Sequence, residues 1–224
     1  CPKTACSGNL VGILESFWTI FEANLGDDFN NLTGDVLLSA GVMAYLGPFT
    51  VAYRNDQLAQ WVVKCKESGV PCSDKPTLKG TLGDAVQIRQ WNIDKLPTDD
   101  FSIENGIVAV NGMAYKYPFM IDPQGQANRW VRQMEQDNGL RVARTTDKKL
   151  ADTLENVISL GYPLLIENVT GAFDPILLPI LLRQTTAVPG GGNKRNILVD
   201  GVSVRFNADF RLYMTTNVAN PQLS

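Results

Sequence analysis

The sequence predicts an α/β fold built on a mainly parallel sheet with helices on both faces. Three observations carry this. Residues 117–217 alternate in the order β-α-β-α-β-α-hairpin-β, the pattern of parallel strands joined by crossover helices. Pro163 to Val169, apolar without a break up to Ile166, reads as a strand covered on both sides. Asp200-Gly201 stands between two β-rich triplets, a strong short-range hairpin signal. At 224 residues and 44% hydrophobic, the chain is long and apolar enough for a sizeable core.

In chain order, residues 1–31 show no clear period. Gly34-Asp35 open an apolar stretch from Val36 to Leu46, which Gly47-Pro48 closes as a helix stop. Leu58, Trp61, Val62 and Cys65 share one helical face, with Gly69 and Pro71 just beyond. Residues 70–105, dotted with Pro, Asp and Thr, are expected to be irregular apart from short pieces such as Val86 to Trp91. Tyr117 to Ile121 then reads as a strand ended by the turn Asp122-Pro123-Gln124-Gly125. Ala127 to Asp137 follows as a helix with Trp130, Val131 and Met134 on one face, and Leu140 to Ala143 as a strand. Asp147 is placed to cap a helix whose Leu150, Leu154, Val157 and Ile158 share a face, with Gly161 closing it. Asp174-Pro175 opens another helix through about Arg183, kinked at Pro179. Ile197 to Val199 and Val202 to Val204 form the hairpin, and Phe210 to Thr215 the last strand.

Composition excludes several chemistries. Histidine is absent, which removes Ser-His-Asp and Cys-His nucleophilic sites, a histidine general base and any His-containing zinc site. A formal net charge of -3 argues against nucleic acid or an anionic membrane as partner. Cys1, Cys6, Cys65 and Cys72 are not spaced as C-x-x-C pairs, so thiols are expected rather than disulfides or a metal site. The apolar stretch from Val36 to Phe49 is too short to span a bilayer, and no signal-peptide pattern opens the chain; a soluble intracellular protein is expected.

In a parallel α/β fold the ligand sits at the carboxyl ends of the strands, first of all in the turn after the first one. A phosphate-binding turn there would read G-x-x-x-x-G-K-[ST]. This chain has Asp122-Pro123-Gln124-Gly125-Gln126-Ala127-Asn128-Arg129. Asp122 and Ala127 replace the glycines, Asn128 the lysine and Arg129 the magnesium-binding hydroxyl. Asn128 offers no cation to phosphates, and Arg129 cannot ligate magnesium. The Asp122 carboxylate would repel a phosphate about 4 Å away by roughly 4 kcal/mol at an effective dielectric of about 20. In Leu164-Leu165-Ile166-Glu167-Asn168, Glu167 and Asn168 hold the acidic places at a strand end, and an Asn in the second cannot polarise water as a carboxylate can.

These residues carry a resemblance. Leu32 to Gly41, Tyr45 to Thr50, Phe101 to Gly106, Met120 to Asn128 and Leu164 to Val169 resemble the fifth AAA+ module of dynein heavy chains, closer to axonemal than to cytoplasmic forms. The likeness runs from about Trp18 to Asn220. It implies an AAA+, P-loop NTPase-like three-layer sandwich with a β-hairpin insertion and an N-terminal helical extension. By resemblance, Asp122 to Arg129 is a vestigial Walker A loop, Glu167 and Asn168 a vestigial Walker B, and Asn217 the sensor-1 position. Residues 1–31 correspond to the end of a stalk helix, 32–116 to the helical part and connecting region, and 117–224 to the α/β core without its small lid.

The resemblance further implies a structural, force-transmitting ring module with no catalytic residue, metal or cofactor of its own. ATP and magnesium would be held at other modules of a ciliary or flagellar motor. Its partners would be the neighbouring AAA+ modules, the stalk coiled coil and, through the parent motor, the microtubule of the axoneme. The alternative is an NTPase module with an atypical loop that still binds or hydrolyses ATP.

Overall fold

The computed structural model describes residues 7–221, apart from Ala172, Pro189, Gly191 and Asn193. Cys1 and Cys6 therefore lie outside the described residues. The chain divides into two compact units, Cys1–Gly83 and Asp84–Ser224.

The first unit is helical. Helix α1 (Ser7–Gly41) runs for 35 residues and continues into a π-helical turn, Val42–Leu46. The expectation of an aperiodic segment up to residue 31 is corrected here. Leu25, Phe29, Leu32 and Val36 recur at helical spacing, but they form an exposed stripe rather than a core face. The helix stop at Gly47-Pro48 is observed, and the Arg54 side chain seals it by donating from Nε to the Phe49 carbonyl and from Nη2 to that of Gly47. Helix α2 (Val51–Glu67) and the segment after it fold back on the C-terminal third of α1. Leu38, Val62, Cys65 and Cys72 are buried together, with Leu58, Trp61 and Val70 packed against them. Gly34 permits this approach, since a Cβ there would stand 2.2 Å from the Pro71 carbonyl oxygen. Asp35 then anchors the segment by accepting from the N–H and Oγ of Ser73. Cys65 and Cys72 are free thiols, as expected, and burial raises the Cys72 pKa. The unit ends in a short helix, α3 (Leu78–Leu82).

The second unit opens with two helices, the first over the short piece expected at Val86 to Trp91 and the second starting where irregular chain was expected. Helix α4 (Ala85–Ile93) is capped by Asp84, which accepts from the N–H groups of Val86 and Gln87. Helix α5 (Asp100–Gly112) is capped by Asp99 through the Ser102 N–H. Both caps were legible as Asp before a helical run. Gly106 sits inside α5 because a Cβ there would come within 3.2 Å of Leu96. Trp91 of α4 meets Trp130 edge-on at 5.6 Å between ring centroids.

The core is a parallel four-stranded sheet in the order β1-β7-β3-β2, with β1 at Phe119–Ile121, β2 at Arg141–Arg144, β3 at Leu164–Glu167 and β7 at Leu212–Thr216. Every residue of the two central strands, β3 and β7, is buried. Helix α6 (Gln126–Met134) leads from β1 and buries Trp130 and Val131; helix α7 (Leu150–Leu160) buries Leu150, Leu154, Val157 and Ile158. Asp147 does not cap α7: its carboxylate turns back to the Arg144 N–H, and Lys149 holds the cap position. After β3, a 3-10 turn (Pro175–Leu177) and a short helix α8 (Leu178–Leu181) replace the single kinked helix, Asp174 accepting from the Ile176 N–H.

A second, antiparallel sheet joins β4 (Thr185–Ala187), β5 (Arg195–Val199) and β6 (Val202–Phe206). Asp200 and Gly201 both have positive φ, the backbone a tight two-residue hairpin requires. The α/β class predicted from the alternation is the fold observed. No described helix is long and apolar enough to cross a membrane.

Leu154 is fully buried on the core face of α7. Leu154→Ala should cost about 2–5 kcal/mol, read as a lower denaturation midpoint with an unchanged slope.

Candidate functional site

The residues singled out in the sequence converge at the carboxyl ends of β1, β3 and β7. Strand β1 pairs with β7 in the register Ile121↔Thr216, and the Asp122 N–H donates to the Thr216 carbonyl at 2.7 Å, extending that ladder by one residue. The chain then turns through Pro123, Gln124 and Gly125 into α6. Gly125 takes the left-handed conformation, φ +69°, at the helix N-cap, which suits a residue without Cβ.

Gly125 has no side chain to satisfy the first N–H groups of α6, and Asp122 does so instead. Its Oδ1 accepts from the Gln126 N–H at 2.8 Å and its Oδ2 from the Asn128 N–H at 2.9 Å. The carboxylate is buried, and it faces the helix end where the peptide dipoles favour negative charge. Hydrogen bonds to a charged group contribute about 1.5–3 kcal/mol each, so this contact is a main fastening of the loop. Gln124 accepts from the Gln126 side chain, while Pro123 and Gln124 are exposed and Ala127 is half-buried.

Asn128, in the lysine place, turns towards β7, its Oδ1 accepting from Thr215 Oγ1 at 2.9 Å. Arg129, in the hydroxyl place, is exposed and folds back to the Gly125 carbonyl. On β3, Glu167 is buried and receives both Nε (3.0 Å) and Nη2 (2.6 Å) of Arg132 on its Oε1. Asn168 is exposed with positive φ, +55°, and Asn217 is exposed one residue past β7.

Two residues that bind α6 to the sheet, one within the helix and one at its C-cap, were not singled out in the sequence. Arg132 is one. The other is Glu135, which is fully buried at the far end of the helix. Its Oε1 accepts from Tyr213 Oη at 2.6 Å and Arg211 Nη1 at 2.7 Å, and its Oε2 from Asn138 Nδ2 at 2.7 Å. The signal was available, because Glu135 lies four residues after the buried Val131 and so on the core face. An open groove of about 860 Å³ lies beside this cluster, with Trp91, Met113, Glu135, Arg183 and Tyr213 among its lining; none of Asp122–Arg129 lines it. Among the described residues, no three metal-ligating side chains stand together.

The sequence profile of a family described as ATP-binding dynein motor region matches residues 89–224. The chain is 44% identical over 204 residues to dynein axonemal heavy chain 3 of Mus musculus, covering 91% of this chain and 5% of that protein. Dynein axonemal heavy chain 1 of Homo sapiens gives the same identity and coverage. Dynein axonemal heavy chain 6 of Homo sapiens is 38% identical over 218 residues, 96% of this chain and 5% of that protein. The chain thus spans about a twentieth of the length of these curated relatives.

Burial, with the Glu135 carboxylate alongside, drives the Tyr213 pKa well above the ordinary tyrosine value. A raised pKa in the folded state gives stability that is fully present below the unfolded value, about 10, and is lost as pH rises beyond it. The denaturation midpoint should therefore fall from about pH 10 upward, and Tyr213→Phe should flatten that part of the profile.

Proposed function

The chain belongs to the ATP-binding dynein motor region family, and on that premise we propose that it is part of the fifth AAA+ module of an axonemal dynein heavy chain. In this reading residues 117–224 are the α/β core of its large subdomain. It is a structural, force-transmitting module whose own nucleotide site is degenerate. The observation that carries the reading is the Asp122 carboxylate on the Gln126 and Asn128 N–H groups, the donors that would otherwise cradle a phosphate at the start of a helix. Two further contacts support it. Asn128 brings no cation and is engaged with Thr215, and Arg132 brings a positive charge to Glu167, where a magnesium site would need an unpaired carboxylate. The residues present do not fit magnesium-ATP.

Residues 1–31 are proposed as the end of a stalk helix. Leu25, Phe29, Leu32 and Val36 of α1 make an exposed apolar stripe suited to a second helix from elsewhere in the heavy chain. The other partners are neighbouring AAA+ modules. Through the parent motor, the module would serve ATP-driven movement along microtubules in the axoneme of a cilium or flagellum. ATP and magnesium would bind at other modules.

The competing reading, an NTPase with an atypical loop, is favoured by the family description, which includes ATP binding. Calorimetry with magnesium-ATP separates the two. No affinity tighter than about millimolar, about 4 kcal/mol of binding, is expected, and a low-micromolar dissociation constant would replace the structural reading with the enzymatic one. Asp122→Gly, Ala127→Gly, Asn128→Lys and Arg129→Thr together should recover measurable binding. Hydrolysis should not return, because Asn168 still lacks the carboxylate that orients water.

A further inference from the structure

We propose that the groove beside Glu135 is a docking site for another polypeptide, whose arginine side chain is received at the C-terminal end of α4. The inference goes beyond the reading above and does not depend on it, since none of Asp122–Arg129 lines this groove.

Asp94 is a misplaced charge. It is the C-cap of α4, it lines the groove, and it is only 8% exposed. The peptide dipoles put negative charge at a helix C-terminus, where a cation is favoured, and burial strips water from the anion. The last turn of α4 holds no basic residue. Asp94 Oδ1 accepts at 3.1 Å from Gln90 Nε2, a neutral donor, and among the described residues no Lys or Arg pairs with it. The two arginines of the groove are engaged elsewhere. Arg211 meets Glu135 at 2.7 Å, and Arg183 donates from Nη2 to the Met113 carbonyl with its guanidinium 4.5 Å from the centre of the Tyr117 ring. Two residues before Asp94, the buried Asn92 Oδ1 has no donor. The end of α4 thus gathers acceptors and lacks a cation. A buried carboxylate without a counter-ion lowers stability, so its place is accounted for by binding rather than by folding.

The groove selects the occupant. Its volume of about 860 Å³ is far more than one ion fills, and no three metal-ligating side chains stand together among the described residues. Ile93, next to Asp94, lines it while 63% exposed, and Met113 and Met134 add apolar wall. Apolar walls around one carboxylate suit the aliphatic stem and planar five-donor head of arginine better than a compact, strongly hydrated ammonium. Gln87 and Gln136 also line the groove, with amide groups that match the backbone of the segment carrying that arginine.

The test titrates the 224-residue chain with acetyl-Leu-Arg-Leu-amide and, at equal ionic strength, with the same peptide carrying citrulline, which keeps the shape and loses the charge. The Asp94 side-chain carboxyl and the Trp91 indole N–H resonances are followed. The arginine peptide should shift both to saturation with a dissociation constant of about 10 mM or tighter, and the citrulline peptide should bind about fivefold more weakly or worse. Asp94→Asn keeps the acceptor for Gln90 and removes the charge. It should weaken the arginine peptide to the level of the citrulline one, and its denaturation midpoint should be no lower than the parent's. Equal shifts from the two peptides, no shift from either, or an arginine affinity unchanged in Asp94→Asn overturns the proposal. A midpoint of Asp94→Asn below the parent's does so too, because Asp94 would then serve the fold. A parent dimer in sedimentation that Asp94→Asn dissociates would seat a second copy of this chain in the groove and overturn the assignment to a different polypeptide.

Discussion

A helix that follows a strand through a tight turn begins with N–H groups that have no partner of their own, and here one carboxylate answers two of them. Everything around the β1–α6 turn depends on that contact. Because Asp122 also continues the pairing of β1 with β7, the start of α6 is registered to the sheet and not merely to the preceding residues. The rest of the helix follows from this placement. Asn128 reaches Thr215 on β7, Arg132 reaches Glu167 on β3 and Glu135 reaches Tyr213 at the other end of β7. Nine residues of helix are thus fastened at both ends and in the middle.

Three of these four fastenings involve charge, and they differ in kind. The Asp122 contact joins an anion to peptide dipoles, Arg132–Glu167 is a half-exposed ion pair, and Glu135 is a buried carboxylate with donors from three residues. Exposed pairs contribute little, about 0–1 kcal/mol, whereas a buried carboxylate stripped of a donor is costly. The rigidity of α6 therefore resides at its two ends. The helix is thus tied to the sheet at its start through Asp122 and at its far end through Glu135.

How much of this was legible follows from where the partners lie. The apolar run that became β3, the face of α7 and the hairpin at Asp200-Gly201 depend on neighbours a few residues apart, and their signals survive in a single sequence. The positions of the loop were legible for the same reason. What its side chains bind was not, since Thr215 lies 87 residues from Asn128 and Glu167 lies 35 from Arg132. Helix α5 was hidden by glycines at positions 106 and 112, residues that ordinarily punctuate structure. Gly106 is there for a close approach to Leu96 and Trp91. Helix α1 was hidden by Gly26, Asp27, Asp28, Asn30 and Asn31, and by an apolar face that has no core to point at.

That exposed face has a mechanical consequence. Trp18, Phe21, Leu25, Phe29, Leu32 and Val36 are spaced 3, 4, 4, 3 and 4 residues apart, and all six are between 43% and 76% exposed. At about 3.6 residues per turn, Val36 falls five whole turns beyond Trp18, directly above it. The stripe therefore runs parallel to the helix axis and does not wind around it. A strict seven-residue repeat would drift by about 20° per heptad and force its partner into a left-handed supercoil. A helix laid along this stripe would have no such twist imposed on it, so the two axes would stay straight under a load along them.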